Sequence, residues 1–479
     1  MHFYRELFSC FIRLSKNACI FIDREKDEIL TVRIVHLYVL NIILSAKKIM
    51  NSKIHCPLYG LVTLSQGALK IVLEPEFQRL KKIKQMGASY CVFPKTIHSR
   101  FEHSIGVYHL TSIVMNHLAS KYPKKKYFIP ELDNVNTVLT ARIIELVKIA
   151  GLCHDIGHGP FSHLFDDKIL CGINHPHQYH EIRSCLIVKK IFDNCFIKQQ
   201  IFTEQEVKFI MALIYPDNQG KKNPLYRIIS DQITGIDVDR LDYLIRDSYY
   251  LGLKNNFNPL RIIYNMNIID NEIVYHENCL MDILNFFQTR FNLHVCIYTC
   301  AAIKTAELML TDHIENSQLV HVLDDMDKFC RLTDENFDMS GLFMKKKYIV
   351  IAEIQYLGWK NNLLYTSKQL GAAVNYDALE TIFFKKMEKF IQLYSEKYGT
   401  PCYLFEIISV RNKLSNTNTN PLEDVLFCNS GTALNIFNIT HDFFEGKNQE
   451  ARCILVCKKQ EYHTSALIEW EIYNKDCKL

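Results

Sequence analysis

Apolar residues recur with helical spacing over most of residues 65–320, whereas strand-like alternation enters beyond about residue 340. Residues 76–87 carry an apolar side chain at every third position and end at a glycine, which predicts a helix that stops there. Residues 141–155 are apolar on most sides and predict a buried helix. Residues 235–252 predict another helix, with a polar stripe along one face.

The carboxyl-terminal third predicts strands over 347–354 and 402–410 and a helix over 378–398. We therefore expect a mainly α fold, in which a helical core precedes a smaller α/β lobe. The expected divisions are an N-terminal extension over 1–49 that is interpreted as an appendage or an upstream misreading of the gene, a core over 50–325, and an oligomerisation or regulatory lobe over 326–479.

Composition excludes a mostly disordered chain, because 48% of the 479 residues are hydrophobic. The formal net charge of +4 does not predict a nucleic-acid-binding protein, and the basic clusters Lys124–Lys126 and Lys345–Lys347 are interpreted as solvated faces. Nucleic acid is thus only a weakly supported partner. The 17 cysteines include no CxxC pair, which indicates reduced thiols rather than a zinc ribbon.

No uninterrupted apolar run reaches the roughly 18 residues of a membrane-spanning helix. No secretory signal is recognisable near the first residue. We expect an intracellular protein without a membrane partner, in the cytosol, the nucleus, or a host cell if the gene is viral.

The stretch GLCHDIGHGPFSH at residues 151–163 concentrates titratable groups at the end of an apolar run. His154 and Asp155 are neighbours, and neighbouring side chains on a helix diverge by about 100°. They can share one metal only beyond the helix end, and Gly157, Gly159 and Pro160 provide that end. An imidazole and a carboxylate together suit iron, manganese, zinc, nickel or magnesium.

Two distant segments offer the remaining ligands. HSRFEHSIGV contains His103 and GIDVDRLDYLIRD contains Asp239, which completes an H…HD…D pattern. CHDIGH also spaces two histidines as a zinc protease does, but an aspartate replaces the glutamate and a glycine interrupts the helix, so we reject that alternative. His175 and His177 are interpreted as loop histidines.

Five segments resemble one branch of the HD superfamily of metal-dependent phosphohydrolases, the deoxynucleoside triphosphate triphosphohydrolases, and in particular the animal enzymes that carry SAM and HD domains. They are FQRLKKIKQMG, FPKTIHSRFEHSIGV, GLCHDIGHGPFSHLFD, YHEIRS and GIDVDRLDYLIRDSYYLG. The resemblance runs from about Ile54 to Lys459, and no SAM domain is recognisable before it. It implies hydrolysis of dNTPs to deoxynucleoside and triphosphate, with a divalent metal (iron, manganese, magnesium or zinc).

The resemblance also implies a role for each matching residue. It implies that the metal ligands are His103, His154, Asp155 and Asp239. The implied catalytic group is His180, which Glu181 orients and which His158 and Asp166 complete. The residues implied to face the phosphates are His163, Arg100, Arg240 and Arg290, those implied to bind the sugar 3′-hydroxyl are Gln85 and Asp247, and those implied to exclude a ribose are Tyr243 and Tyr298.

An activating nucleotide is implied at Gln78 and Lys81, and assembly into dimers or tetramers is implied as well. The carboxylate that reads guanine in the animal enzymes is replaced by Leu73, which cannot accept a hydrogen bond, so we expect guanine-specific activation to be lost unless Glu74 or Glu76 substitutes. Two alternatives stay open: an HD-type phosphodiesterase or nuclease, and a non-catalytic scaffold that binds nucleotides or nucleic acid.

Overall fold

The structure is a computed structural model and describes residues 52–171, 173–193, 201–217, 223–314, 319, 321–337, 348–357, 376–413, 425–429, 432–434 and 449–476. The predicted extension over 1–49 and the cluster Lys345–Lys347 lie outside these residues. By their internal contacts, residues 52–55 and 61–66 belong to one compact unit, and residues 56–60 with everything after 66 belong to a second. The expected boundaries of core and lobe stay predictions.

The second unit is built mainly from helices, which confirms the predicted fold class. In chain order the α-helices are α1 Gln66–Leu73, α2 Pro75–Gln78, α3 Arg100–Lys121, α4 Ala141–Cys153, α5 His180–Ile191, α6 Glu204–Ile214, α7 Val238–Leu251, α8 Pro259–Tyr264, α9 Leu280–Leu293, α10 Ala301–His313, α11 Met326–Phe329, α12 Tyr376–Tyr398 and α13 His463–Asp476.

In the described part of the chain, the strands form four small sheets. They are β1 Lys53–Cys56, β2 Gly60–Thr63, β3 Tyr127–Ile129, β4 Val135–Thr137, β5 Met266–Ile269, β6 Glu272–His276, β7 Ile349–Leu357, β8 Phe405–Lys413, β9 Leu426–Asn429, β10 Thr432–Leu434 and β11 Gln449–Cys457. β1 pairs with β2, and β3 with β4. A four-stranded sheet has the order β10-β9-β6-β5, and a three-stranded antiparallel sheet has β11 between β7 and β8.

Local sequence explains where the two central helices begin and end. At α4, the Thr140 hydroxyl caps the first turn by accepting from the Ile143 amide, and the helix ends just before His154. At α7, Asp237 caps the first turn, and Gly252 ends the helix in the left-handed region with φ of 73°. The predicted helix over 235–252 is therefore correct to within three residues.

The predicted helix over 76–87 is wrong in its extent. α2 ends at Gln78, and a 3₁₀ turn over Arg79–Lys82 follows. The Arg79 side chain points into the interior, where it donates to the carbonyls of Ile156 and His158, so the segment bends to deliver it. Gly87 ends no helix: with φ of 52° it starts a second 3₁₀ turn against the Phe161 carbonyl.

The carboxyl-terminal elements follow the predicted pattern with shifted ends, since β7, β8 and α12 cover most of 347–354, 402–410 and 378–398. α12 and α13 pack on one face of the three-stranded sheet, where Phe383, Phe390 and Cys453 are buried. Ile454 and Val456 point to the other face. All cysteines that the structure describes are free thiols.

Within the described residues, no single helix has both the length and the apolar composition needed to span a membrane. One bent pair, Glu277–Tyr298 followed by Ala301–His313 at 56°, has them jointly.

Candidate active site

Four side chains from three helices converge at the predicted metal centre. His103 lies one turn into α3, His154 and Asp155 follow the end of α4, and Asp239 lies in the first turn of α7. The His103 Nε2 atom is 3.0 Å from Asp239 Oδ1 and 3.4 Å from Asp155 Oδ2. The His154 Nε2 atom is 3.5 Å from Asp239 Oδ1 and 3.4 Å from Asp155 Oδ1.

The two imidazoles are oriented by their other ring nitrogens. His103 Nδ1 donates to Asp242 Oδ2 at 2.8 Å, and His154 Nδ1 donates to the Gly151 carbonyl at 2.9 Å. Both Nε2 atoms are buried and make no hydrogen bond within the described part of the chain. Two inward nitrogens facing two carboxylates, each fixed by a second partner, fit a divalent metal.

Electrostatics favour positive charge at this centre. Burial disfavours protonation of His103, but the nearby carboxylates of Asp239, Asp242 and Asp155 outweigh it and raise its pKa to about 10. Burial opposes ionisation of Asp239, yet the two histidines hold its pKa well below the usual range. The arrangement therefore favours a positive charge between the carboxylates, as a bound divalent cation would provide.

Asp242 is a functional residue that sequence reasoning missed. It is fully buried, and besides His103 it accepts from Arg246 Nε at 2.8 Å and from the Tyr59 hydroxyl at 2.8 Å. Gly106 lies one turn beyond His103, and an added Cβ there would overlap the Asp242 carboxylate. The available signal was the third aspartate of DVDRLD, three residues after a candidate metal ligand and four before an arginine.

A second histidine group adjoins the metal centre. The His180 Nδ1 atom donates to Asp166 Oδ2 at 2.8 Å, and Arg183 forms a short ion pair with the same carboxylate. The His158 ring stacks on His180 with centroids 3.8 Å apart, and its Nε2 lies 3.3 Å from Asp155 Oδ1. His158 therefore connects the ligand set to the group that resembles a proton donor.

The contact expected of Glu181 belongs to Asp166. Glu181 Oε2 is 3.6 Å from His180 Nδ1 and its side chain is 40% exposed, whereas Asp166 is nearer and mostly buried. The carboxylate nearest to His180 is therefore the one brought there by the fold, not the one next to it in the chain.

Glycine permits this closeness. An added Cβ at Gly157 would overlap the His180 carbonyl and the Ser184 amide of α5. The Gly157 amide donates to Ser184 Oγ at 2.9 Å, and that hydroxyl donates to the His154 carbonyl at 2.6 Å. The break in GLCHDIGHG therefore lets α5 dock directly on the metal-binding turn.

The residues of this site lie in a part of the chain that is similar to known proteins. Residues 100–247 match the HD domain, and that range contains all four candidate ligands. An HD domain-containing protein of Acanthamoeba polyphaga mimivirus is 36% identical over 445 residues, which are 88% of this chain and 92% of that protein. The chain belongs to the HD-domain family.

Two further relatives of this HD-domain protein are named deoxynucleoside triphosphate triphosphohydrolases. The SAMHD1 homolog of Dictyostelium discoideum is 36% identical over 60% of this chain, and SAMHD1 of Homo sapiens is 32% identical over 59%. The chain spans about half the length of each, 54% and 50% respectively.

Beside the two histidine groups, two arginines of the HD-domain protein, Arg240 and Arg290, form what we call the cationic wall. Arg240 is held by a short ion pair with Asp237, and Arg290 is hydrogen-bonded to Tyr243. His294, which sequence reasoning missed, lies among these cations: burial, then Arg290 and other neighbouring charges, lower its pKa to about 3. His163 is exposed, and its ring centroid is 5.0 Å from that of His158. A concentration of fixed positive charge suits a polyanion.

Arg100, expected to face the nucleotide, is buried behind the metal centre of the HD-domain protein. Its Nη1 donates to Asp155 Oδ2 at 2.5 Å and its Nε to Ser162 Oγ at 2.9 Å. Its Nη2 reaches the Gln85 backbone carbonyl at 3.4 Å, and the Gln85 side-chain oxygen is buried without a hydrogen-bond partner among the described residues. Arg100 thus fixes a ligand carboxylate.

Two of the predicted sugar-facing residues, Asp247 and Tyr298, contact each other. The two Asp247 oxygens accept from His98 Nε2 and from the Tyr298 hydroxyl, each at 2.7 Å. The His98 ring stacks on Tyr250 with centroids 4.3 Å apart. Sequence reasoning missed His98, for which only the proximity to RFEH in the chain was a signal.

The expected regulatory residues lie near α2. Leu73 is 66% exposed at the end of α1, Gln78 donates to the Val72 carbonyl, and Lys81 lies over the Phe101 ring at 4.7 Å. Glu76, a suggested substitute for the missing carboxylate, is paired with Lys190 at 2.8 Å.

Two other predicted features lie in loops or at the surface. His175 contacts Asp324 at 3.1 Å and His177 contacts the Leu323 carbonyl at 3.0 Å, so both hold a loop. Lys124 and Lys126 are exposed.

Proposed function

We propose that this HD-domain protein hydrolyses deoxynucleoside triphosphates to a deoxynucleoside and inorganic triphosphate. The observation that carries the proposal is the continuity of the site: His158 lies between the ligand set and the His180–Asp166 pair. The names of the SAMHD1 relatives support the substrate class. His103, His154, Asp155 and Asp239 would hold the divalent metal, which would supply polarisation of a phosphate oxygen and activation of water.

Phosphate binding falls to the cationic wall, because the chain has no glycine-rich phosphate loop. Arg240 and Arg290 form charge-assisted hydrogen bonds to the triphosphate. Their guanidinium groups are anchored by Asp237 and Tyr243, so little side-chain entropy is lost on binding.

Proton transfer falls to His180. Because Nδ1 donates to Asp166, the other ring nitrogen faces the site and donates a proton to the departing 5′-oxygen when the bond to the α-phosphorus breaks. The Asp166 carboxylate orients the ring, and Arg183 holds that carboxylate in place. Water supplies the oxygen that the α-phosphorus gains.

Sugar selection falls to Asp247 with its neighbours. Asp247 accepts a hydrogen bond from the 3′-hydroxyl, and the Tyr298 and Tyr243 rings occupy the space that a 2′-hydroxyl needs. His98 and Tyr298 together hold the carboxylate in one orientation.

The test is product identification after incubation with each dNTP in Mn²⁺, Mg²⁺, Fe²⁺ or Zn²⁺, with a labelled oligonucleotide in parallel. We expect triphosphate and deoxynucleoside, no product from Asp155→Ala, and full activity from Asp193→Ala, which changes an exposed carboxylate paired with Lys189. Addition of GTP is expected to leave the rate unchanged. Pyrophosphate as product, a shortened oligonucleotide, or binding without turnover in every metal would contradict the proposal.

A further inference from the structure

The segment that joins α9 to α10 is a π-helical turn over His294–Tyr298. The Thr299 amide and hydroxyl both donate to the His294 carbonyl, at 3.1 and 2.6 Å, and the Cys300 amide donates to the Ile297 carbonyl at 3.1 Å. π-Helical turns are rarer than α-helical ones and persist where surrounding structure stabilises them. This turn carries Tyr298, whose hydroxyl donates to Asp247.

The carboxyl-terminal sheet provides such support through Arg452. Arg452 lies on β11, the central strand, and its Nη2 donates to the Val295 carbonyl at 3.1 Å while its Nη1 donates to the Thr299 carbonyl at 3.3 Å. Its side chain is 5% exposed and also pairs with Glu353 at 3.1 Å. One guanidinium therefore joins both ends of the π-helical turn.

Strand alternation explains why an arginine at this position reaches the turn. Cys453, Leu455 and Cys457 point to the face covered by α12 and α13. Ile454 and Val456 point to the opposite face, where they pack against Ala301 at the start of α10. Arg452 precedes Ile454 by two residues on β11, so its side chain lies on this second face. The five N–H donors of a guanidinium can reach two carbonyls that lie apart.

We propose that Arg452 is a positioning residue for sugar selection: by holding the π-helical turn, it keeps Tyr298 against Asp247 and so keeps the 2′ side of the site closed to ribonucleotides. The inference rests on the proposed function for its substrate. It assigns to the carboxyl-terminal lobe a part in the specificity of a site whose other residues come from the core.

The experiment compares kcat/KM for each dNTP with that for the matching NTP. In Arg452→Met, which keeps the bulk of the stem and removes both donors, the ratio of dNTP to NTP is expected to fall about tenfold, as for loss of one contact that excludes a wrong substrate. Arg452→Lys keeps the charge but reaches only one carbonyl, so its ratio is expected to lie between those of the wild type and the methionine variant.

The matched control is Lys458→Met, which changes the residue directly after the end of β11. Lys458 also joins the lobe to α10, by an ion pair with Asp312 at 3.1 Å, but it does not contact the turn. Its ratio is expected to equal that of the wild type, which separates positioning of Tyr298 from a general loosening of the lobe.

A double-mutant cycle with Tyr298→Phe tests the route. Because both changes act on the same hydroxyl, Arg452→Met is expected to add little in the Tyr298→Phe background. Full additivity of the two changes, or an unchanged ratio in Arg452→Met, would overturn the inference while leaving dNTP hydrolysis intact.

A substrate-free measurement separates this inference from the proposed function. With 3-fluorotyrosine at position 298, the ¹⁹F resonance is expected to move towards that of solvent-exposed tyrosine in Arg452→Met and to stay in place in Lys458→Met. An unmoved resonance in Arg452→Met overturns the inference even if no nucleotide is hydrolysed, and absence of triphosphate from the wild type counts against the proposed function alone.

Discussion

His103 donates its Nδ1 proton to Asp242 across 2.8 Å, and this bond points the opposite nitrogen of the ring at Asp155 and Asp239. Asp242 is itself held from two other directions, by Arg246 and by Tyr59. The orientation of a candidate metal ligand on α3 therefore depends on a buried ion pair within α7.

Replacing Asp242 with asparagine should weaken metal binding. The amide is a poorer acceptor for the His103 proton and leaves Arg246 without its charge partner, so we expect about a 10- to 100-fold loss of metal affinity and a lower melting temperature. Titration calorimetry with Mn²⁺ measures the first and thermal unfolding without metal measures the second. Tyr59→Phe removes only the outermost hydrogen bond and is expected to change affinity far less; an equal loss in both variants would contradict this role.

Asp166 and Glu181 should differ sharply in their effect on turnover. Asp166→Asn removes the carboxylate that fixes the His180 tautomer, so we expect kcat for triphosphate release to fall by about 10²-fold or more with a smaller change in KM. Glu181→Gln changes a half-exposed group 3.6 Å away, and its kcat is expected to stay within about twofold of the wild type. The reverse order of effects would assign the orienting role to Glu181 after all.

Gly157→Ala should damage both stability and activity. Its Cβ would overlap the backbone of α5, so either that helix or the metal-binding turn must shift, which we expect to cost about 1–3 kcal/mol in the free energy of unfolding. Because α5 begins at His180, kcat should fall as well. Gly252→Ala is the control: it also strains a positive φ, at about 1–2 kcal/mol, but meets no atom within 4 Å, and its activity should be retained.

His294 should make the protein acid-sensitive. Its folded pKa is lowered to about 3, because burial and then the Arg290 charge disfavour the protonated ring. In the unfolded chain the ring takes up a proton near pH 6.5, so the unfolded state binds more protons, and stability is lost as the pH falls from about 6.5 towards 3. His294→Gln removes this proton uptake, and the variant should lose about 2 kcal/mol less than the wild type between pH 7 and 5. Urea unfolding at both pH values measures the difference, and equal losses would contradict it.

Much of the fold could be predicted from the periodicity of the sequence. The buried helix before His154, the helix around Asp239 and the two long strands of the carboxyl-terminal sheet all lie near their expected positions, because each buries an apolar face whose spacing is visible in the chain. The helix predicted over 76–87 was wrong in its extent because Arg79 points inward and donates to the carbonyls of Ile156 and His158. No local sequence pattern indicates that contact.

The sequence by itself determined the types of the candidate ligands and the motifs that contain them, since a His-Asp pair after a buried helix strongly restricts the kind of ion that can bind there. Only the tertiary structure decided which neighbours orient them: Asp242 for His103, Asp166 rather than Glu181 for His180, His98 for Asp247, and Arg452 for the turn that carries Tyr298. The physical reason is range. Helical and strand periodicity arises from backbone geometry over a few residues, whereas a hydrogen bond is decided by a few tenths of an ångström between atoms that can lie 183 positions apart in the chain.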